Sequence, residues 1–103
     1  MNAPAADKDV SAQVLRALSM LEVLSGELPN GLSNKDIATA LNCPPPYVTR
    51  TAATLIDKGW VERTPDGRFR ITTRFSQLSV RSLRAFEKCA QQLDDMKRNY
   101  LLG

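Results

Sequence analysis

The side chains of this chain that could do chemistry are cations rather than nucleophiles or metal ligands. Arg50 sits in the run VTRTAATL, Arg68 and Arg70 alternate along RFRIT, and Lys35 lies in SNKDIATAL. A guanidinium carries a rigid fork of donors that fits a phosphate or a guanine edge, while an ammonium acts as a point charge. Such residues suit recognition of an anionic polymer. The sequence has no histidine, so the commonest general base and the usual transition-metal ligand are missing. Its carboxylates are scattered or are neighbours such as Asp94 and Asp95, and no glycine-rich phosphate loop occurs. Cys43 and Cys89 stand far apart, without partners at zinc spacing, and describe two inert thiols rather than a site or a disulfide framework. No enzymatic activity, metal or cofactor is expected.

Net charge is only +3, but it is unevenly spread. Residues 1–43 hold three basic and five acidic side chains, residues 44–84 hold eight and three, and residues 85–103 balance. A local excess of this kind is the footprint of a surface that meets phosphates, although a solvated basic face reads the same on charge alone. A chain of 103 residues has room for one small domain plus one further element, with a modest core that a second subunit would help. No apolar run is long enough to span a bilayer. Residues 1–10, MNAPAADKDV, lack the basic start and apolar middle of a signal peptide, and are expected to be a flexible tail of a cytoplasmic protein.

The cations are positioned by the stretch from Ser33 to Lys58, which reads as two short helices joined by a proline-rich corner. Ser33 is a good N-cap, and Ile37, Ala38 and Leu41 share one face. Asn42 tolerates a left-handed C-cap, and proline is welcome only in a first helical turn, so the next helix starts around Pro45. On it Val48, Ala52 and Leu55 form a core face, while Pro46, Tyr47, Thr49, Arg50, Ala53 and Thr54 point elsewhere. Small residues at Ala38, Ala52 and Ala53 would let the two helices cross closely.

Upstream, SAQVLRALSMLEVLS predicts a first helix from Ser11 to Ser25. Its main stripe is Val14, Ala17, Leu18, Leu21 and Leu24, with Leu15, Met20 and Val23 on the other sides. A helix apolar nearly all round is buried on more than one side. Downstream of Lys58-Gly59 the period changes to two. Trp60 to Thr64 and Arg68 to Thr72 predict strands around a Pro65-Asp66-Gly67 turn, with Phe69 and Ile71 inward and Arg68, Arg70 and Thr72 towards water. One long helix is then expected from about Arg74 to Leu101. Its seam of Phe86, Cys89, Leu93, Met96 and Tyr100 suits either a second copy or a fold back onto its own domain. A length of ~42 Å favours the second copy.

Helix, helix, helix and hairpin is the order of a winged helix-turn-helix, so the fold class expected is mainly α with a small β-hairpin, followed by a long C-terminal helix. The sequence also resembles the DNA-binding domain of the IclR family of bacterial transcription regulators over about residues 11–79. The resemblance rests on GLS before the DIATAL helix, on VTRTAATL, and on KGWVER with TPDGRFRI. It implies DNA contact through the second helix of the motif and the wing, and pairing through the first helix and a following linker helix. The family's larger effector-binding domain has no counterpart here, so no small-molecule effector is expected. The PPPY start of the second helix departs from the family, where a proline is commonly followed by polar or basic residues.

The organisation expected is a tail over 1–10, a winged domain over 11–73 and a dimerisation helix over 74–103. The reading is a dimeric, sequence-specific binder of double-stranded DNA, for example a regulator of a mobile element. A protein-interaction adaptor and a weakly specific architectural DNA protein are the alternatives. Tyr47, Thr49, Arg50 and Thr54 are expected to face the major groove, and Pro46 is counted with them among the DNA-binding residues. Ser33, Lys35, Arg68 and Arg70 are expected at phosphates or the minor groove, and Leu15, Met20, Val23, Phe86, Cys89, Leu93, Met96 and Tyr100 at a dimer interface.

Overall fold

The computed structural model of the chain describes residues 9–102, so residues 1–8 of the expected tail, and Gly103, lie outside the described residues. Helix α1 covers Ala12–Leu24, and the Ser11 hydroxyl accepts the N–H of Val14 at its start. It packs against two later helices and the second strand of the hairpin. Met20 and Leu24 are fully buried there, whereas Val14, Leu15 and Leu18 are each more than half exposed. The inward face is thus rotated from the expected stripe, because a helix apolar all round has no polar side to set its phase. Met20, expected at an interface with a second subunit, instead belongs to the domain's own core, and Val23 is half-buried.

Helix α2 is Asn34–Leu41, and the Ser33 hydroxyl accepts the N–H of Asp36. Asn42 ends it in the left-handed conformation, at φ 53° and ψ 51°, with its own N–H returned to Ala38 and Thr39. Helix α3 then runs Pro45–Asp57 from an extended Pro44 that provides no side-chain cap. Ile37 and Ala38 of α2 and Val48, Thr51, Ala52 and Leu55 of α3 are buried, the small alanines allowing the close crossing that a helix-turn-helix needs. Gly59, at φ 82°, turns the chain out of α3.

Strands β1, Val61–Arg63, and β2, Phe69–Ile71, pair antiparallel in the register Val61 with Ile71 and Arg63 with Phe69. Val61, Phe69 and Ile71 are buried, and Phe69 is one of the largest fully buried side chains. Leu32 extends this sheet by a bridge to Phe69, with N···O distances of 2.9 and 2.8 Å in the two directions. That bridge ties the loop before α2 to the wing. Gly31, at φ 72°, sits against it so closely that a Cβ would lie 2.8 Å from the Phe69 carbonyl carbon and closer still to its oxygen.

The chain divides into two compact units, one ending at Thr72 and one beginning at Thr73. The second is helix α4, Thr73–Leu102, whose 30 residues extend ~45 Å. None of them is buried. Leu83, Phe86, Leu93, Met96 and Tyr100 are all more than half exposed, and Cys89 is exposed. Among the described residues, no helix is long and apolar enough to cross a membrane.

Candidate nucleic-acid interface

Burial of Val48, Thr51, Ala52 and Leu55 on one side of α3 leaves Pro46, Arg50, Ala53 and Asp57 on the side opposite, at three- and four-residue spacing. Tyr47, Thr49 and Thr54 flank that row and are also exposed. Two cations converge on the Tyr47 ring. The Arg50 guanidinium carbon lies 4.7 Å from the ring centroid, and that of Arg16, from α1, lies 4.5 Å away. At such distances a guanidinium is attracted to the ring's negative face, so Tyr47 holds both cations against the domain surface. Neither arginine forms an ion pair among the described residues. Arg16 escaped the sequence reading, since only the observed phase of α1 turns it towards the start of α3.

The remaining polar groups near this face are largely engaged within the domain. Pro44, Pro45 and Pro46 have no N–H, and the Tyr47 N–H donates to the Pro44 carbonyl at 3.0 Å. The Thr49 hydroxyl accepts from Asn34 Nδ2 at 2.9 Å and lies 3.4 Å from the Pro45 carbonyl, to which it donates. Thr54 donates its hydroxyl to the Arg50 carbonyl at 3.3 Å. Asn34 also donates to that Pro45 carbonyl at 3.3 Å, so one side chain of α2 pins the first turn of α3. Among the groups expected in the groove, then, Arg50 and the Tyr47 hydroxyl are free to bond outward, and Thr49 and Thr54 are held inward. Ser33 serves as the α2 cap through its acceptor lone pair, and Lys35 beside it is exposed.

The wing arginines are arranged differently. Arg70 pairs with Glu62 across the hairpin at 2.6 Å and donates to the Pro29 carbonyl at 3.2 Å. Arg68 donates to the Gly31 carbonyl at 3.1 Å and approaches Asp36 of α2 at 3.9 Å. Both are half-buried, where an outward-facing row was expected. The reason is local: loop 26–32 leaves carbonyls beside the sheet with no backbone partner, and the long arginine side chains reach them. Arg63 stays exposed but lays its guanidinium 4.6 Å from the centroid of the Phe69 ring.

The tip of the wing is closed by Thr64 and Asp66. The Thr64 hydroxyl donates to the Asp66 carboxylate and accepts the Arg68 N–H at 2.9 Å, while the Gly67 N–H returns to the Thr64 carbonyl at 2.9 Å. The Thr64 hydrogen bond, helped by the nearby Arg68 and Arg70, holds the Asp66 carboxyl below its ordinary value of 3.8.

Comparison with known proteins agrees with this architecture. The MarR family profile matches residues 26–68, which span the helix-turn-helix and the first part of the wing. An IclR family transcriptional regulator from Brucella abortus superposes with a TM-score of 0.68 at 22% identity, covering 82% of this chain and 32% of its own. An IclR homologue from Microbacterium sp. strain HM58-2 gives 0.62 at 22% identity, over 85% of this chain and 37% of its own. The chain therefore spans about a third of the length of these two proteins. No curated protein sequence matches it. The winged helix-turn-helix is common to the matched profile and both structures.

Proposed function

We propose that this chain is a cytoplasmic, sequence-specific binder of double-stranded DNA that works as a dimeric transcription regulator. The observation that carries the reading is the displayed face of α3, where Arg50 projects beside Tyr47 without a carboxylate partner. In helix-turn-helix proteins, this part of the second helix reaches base edges. Arg50 can grip the O6 and N7 of a guanine with two hydrogen bonds, worth about 1–3 kcal/mol of discrimination. Arg16 adds a second positive charge at the same ring. Lys35 and Ser33 start the helix that would cross the DNA backbone and meet phosphates there. Arg68 and Arg70 retain unused guanidinium donors, since each has five, and serve both to hold the wing and to touch phosphate.

Dimerisation is supported by apolar surface left exposed among the described residues. On α1 this is Leu15 with Val14 and Leu18, and on α4 it is the Phe86, Cys89, Leu93, Met96 and Tyr100 seam. A single winged domain makes few phosphate contacts and binds weakly at physiological salt. Two linked domains engage inverted half-sites at high effective concentration, with the second helices about 34 Å apart in successive major grooves. The reading is tested by selecting bound duplexes from a random pool at two salt concentrations, alongside sedimentation of the free protein. An inverted repeat containing guanine in each half-site, bound by a dimer, is expected. A monomer at tens of micromolar that selects nothing would overturn it and favour a protein-interaction role.

A further inference from the structure

The face of α3 that carries Arg50 is otherwise poor in hydrogen-bonding groups. Pro46 stands one turn before Arg50 and Ala53 follows it, both exposed. The N–H groups that usually open a helix are absent at Pro44, Pro45 and Pro46, and that of Tyr47 is engaged. The Thr49 and Thr54 hydroxyls are bonded within the domain. No amide or carboxylate side chain lies on this face before Asp57, the last residue of α3, and the free Tyr47 hydroxyl stands to one side of the Pro46–Arg50 row. Such a surface cannot read adenine through an amide pair or cytosine through a carboxylate at its leading end. The one base feature in the major groove that an alkyl ring recognises is the C5-methyl group of thymine.

We infer that Pro46 reads a thymine methyl close to the guanine gripped by Arg50, so that each half-site carries a thymine and a guanine under this face. The inference rests on the proposed binding of DNA through α3. Four residues of helix separate the two side chains by ~6 Å, against a base-pair rise of about 3.4 Å, which places their targets one or two steps apart. The Pro46 ring is rigid, exposed and held at the first turn by the Asn34 bonds to Pro45 and Thr49, so no ordering of the side chain opposes the contact.

The test uses the full chain and the duplex it selects from a random pool. Each thymine of that duplex is replaced in turn by deoxyuridine, which pairs identically and lacks only the methyl. Burying one methyl-sized group predicts about fourfold weaker binding at the contacted thymine and little change elsewhere. Pro46→Ser, an exposed change whose fold is checked by circular dichroism, is expected to bind the thymine and deoxyuridine duplexes equally. The inference is overturned if the selected duplex shows no deoxyuridine effect near its guanine, or if the effect persists undiminished in Pro46→Ser. Failure of the chain to select any duplex would overturn it together with the DNA-binding reading, and so separates the two failures.

Discussion

Helix α3 and the wing each carry arginines in the basic part of the chain, yet they hold them in opposite ways. On α3, Arg50 rests on an aromatic ring and faces outward. On β2 and the residue before it, Arg70 and Arg68 reach back to Glu62, Asp36 and two loop carbonyls. A cation held by a neutral ring keeps its charge and its donors for a partner. One held by a carboxylate is partly neutralised before any partner arrives. The same residue type is therefore left available to a partner in one place and fastens the scaffold in the other, and the groups within reach of each side chain decide which.

The largest expected effect removes the anchor of the wing in the domain core. Phe69→Ala deletes a fully buried ring at the point where β2, Leu32 and the helices meet. A loss of about 3–5 kcal/mol is expected in chemical denaturation, enough to unfold much of so small a domain. A loss under about 1 kcal/mol would mean that the wing is not integral to the core.

Removing most of α4 asks instead whether the first unit can act without the long helix. Truncation after Val80 is expected to leave residues 12–71 folded by circular dichroism while weakening DNA binding about a hundredfold, because the half-sites are no longer linked. Unchanged self-association in sedimentation would place the dimer contact elsewhere.

The contrast between α3 and the wing is sharpened by Arg68→Ala combined with Arg70→Ala. The double variant is expected to lower thermal stability, because Gly31 and Pro29 lose their hydrogen-bond donors. It should also reduce the salt slope of DNA binding by about 0.9 for each phosphate that the two arginines neutralise. A normal melting temperature would show that the clamp contributes nothing to the wing. An unchanged salt slope would remove these residues from the DNA surface.

The smallest effect concerns the wing tip. Asp66 has a lowered folded-state pKa, so its contribution to stability is present above its ordinary value of 3.8 and disappears as pH falls through the lower folded value. Asp66→Asn is expected to flatten the stability profile only in that acid window. An equal loss at pH 7 and pH 3 would point to a neutral hydrogen bond instead.

Much of this fold was legible because its punctuation is strong. Ser33, Asn42, the proline run and Gly59 mark helix ends by chemistry that few other residues supply, and the observed boundaries follow them closely. The face of α1 was not legible, since Met20 and Leu18 are equally apolar and only packing chooses between them. Nor was the engagement of Arg68 and Arg70 by Gly31 and Pro29, whose carbonyls lie 37 and 41 residues away and carry no side-chain signal. Arg50 and Tyr47 were picked out from helical spacing alone, whereas Arg16 joins them only through the tertiary crossing of α1 and α3.

The central claim is that Arg50 reads a base while the wing arginines do not, and competition binding tests it most directly. The full chain, Arg50→Ala and the Arg68→Ala/Arg70→Ala double variant are each titrated against the selected duplex and against the same duplex with its half-site guanines replaced by adenines. The intact chain is expected to discriminate by roughly 5- to 150-fold per half-site, the range that one bidentate contact supplies. Arg50→Ala should bring that ratio close to one, and the double variant should keep it while binding both duplexes less tightly. Arg50→Ala weakening both duplexes equally, with the ratio intact, would contradict the account.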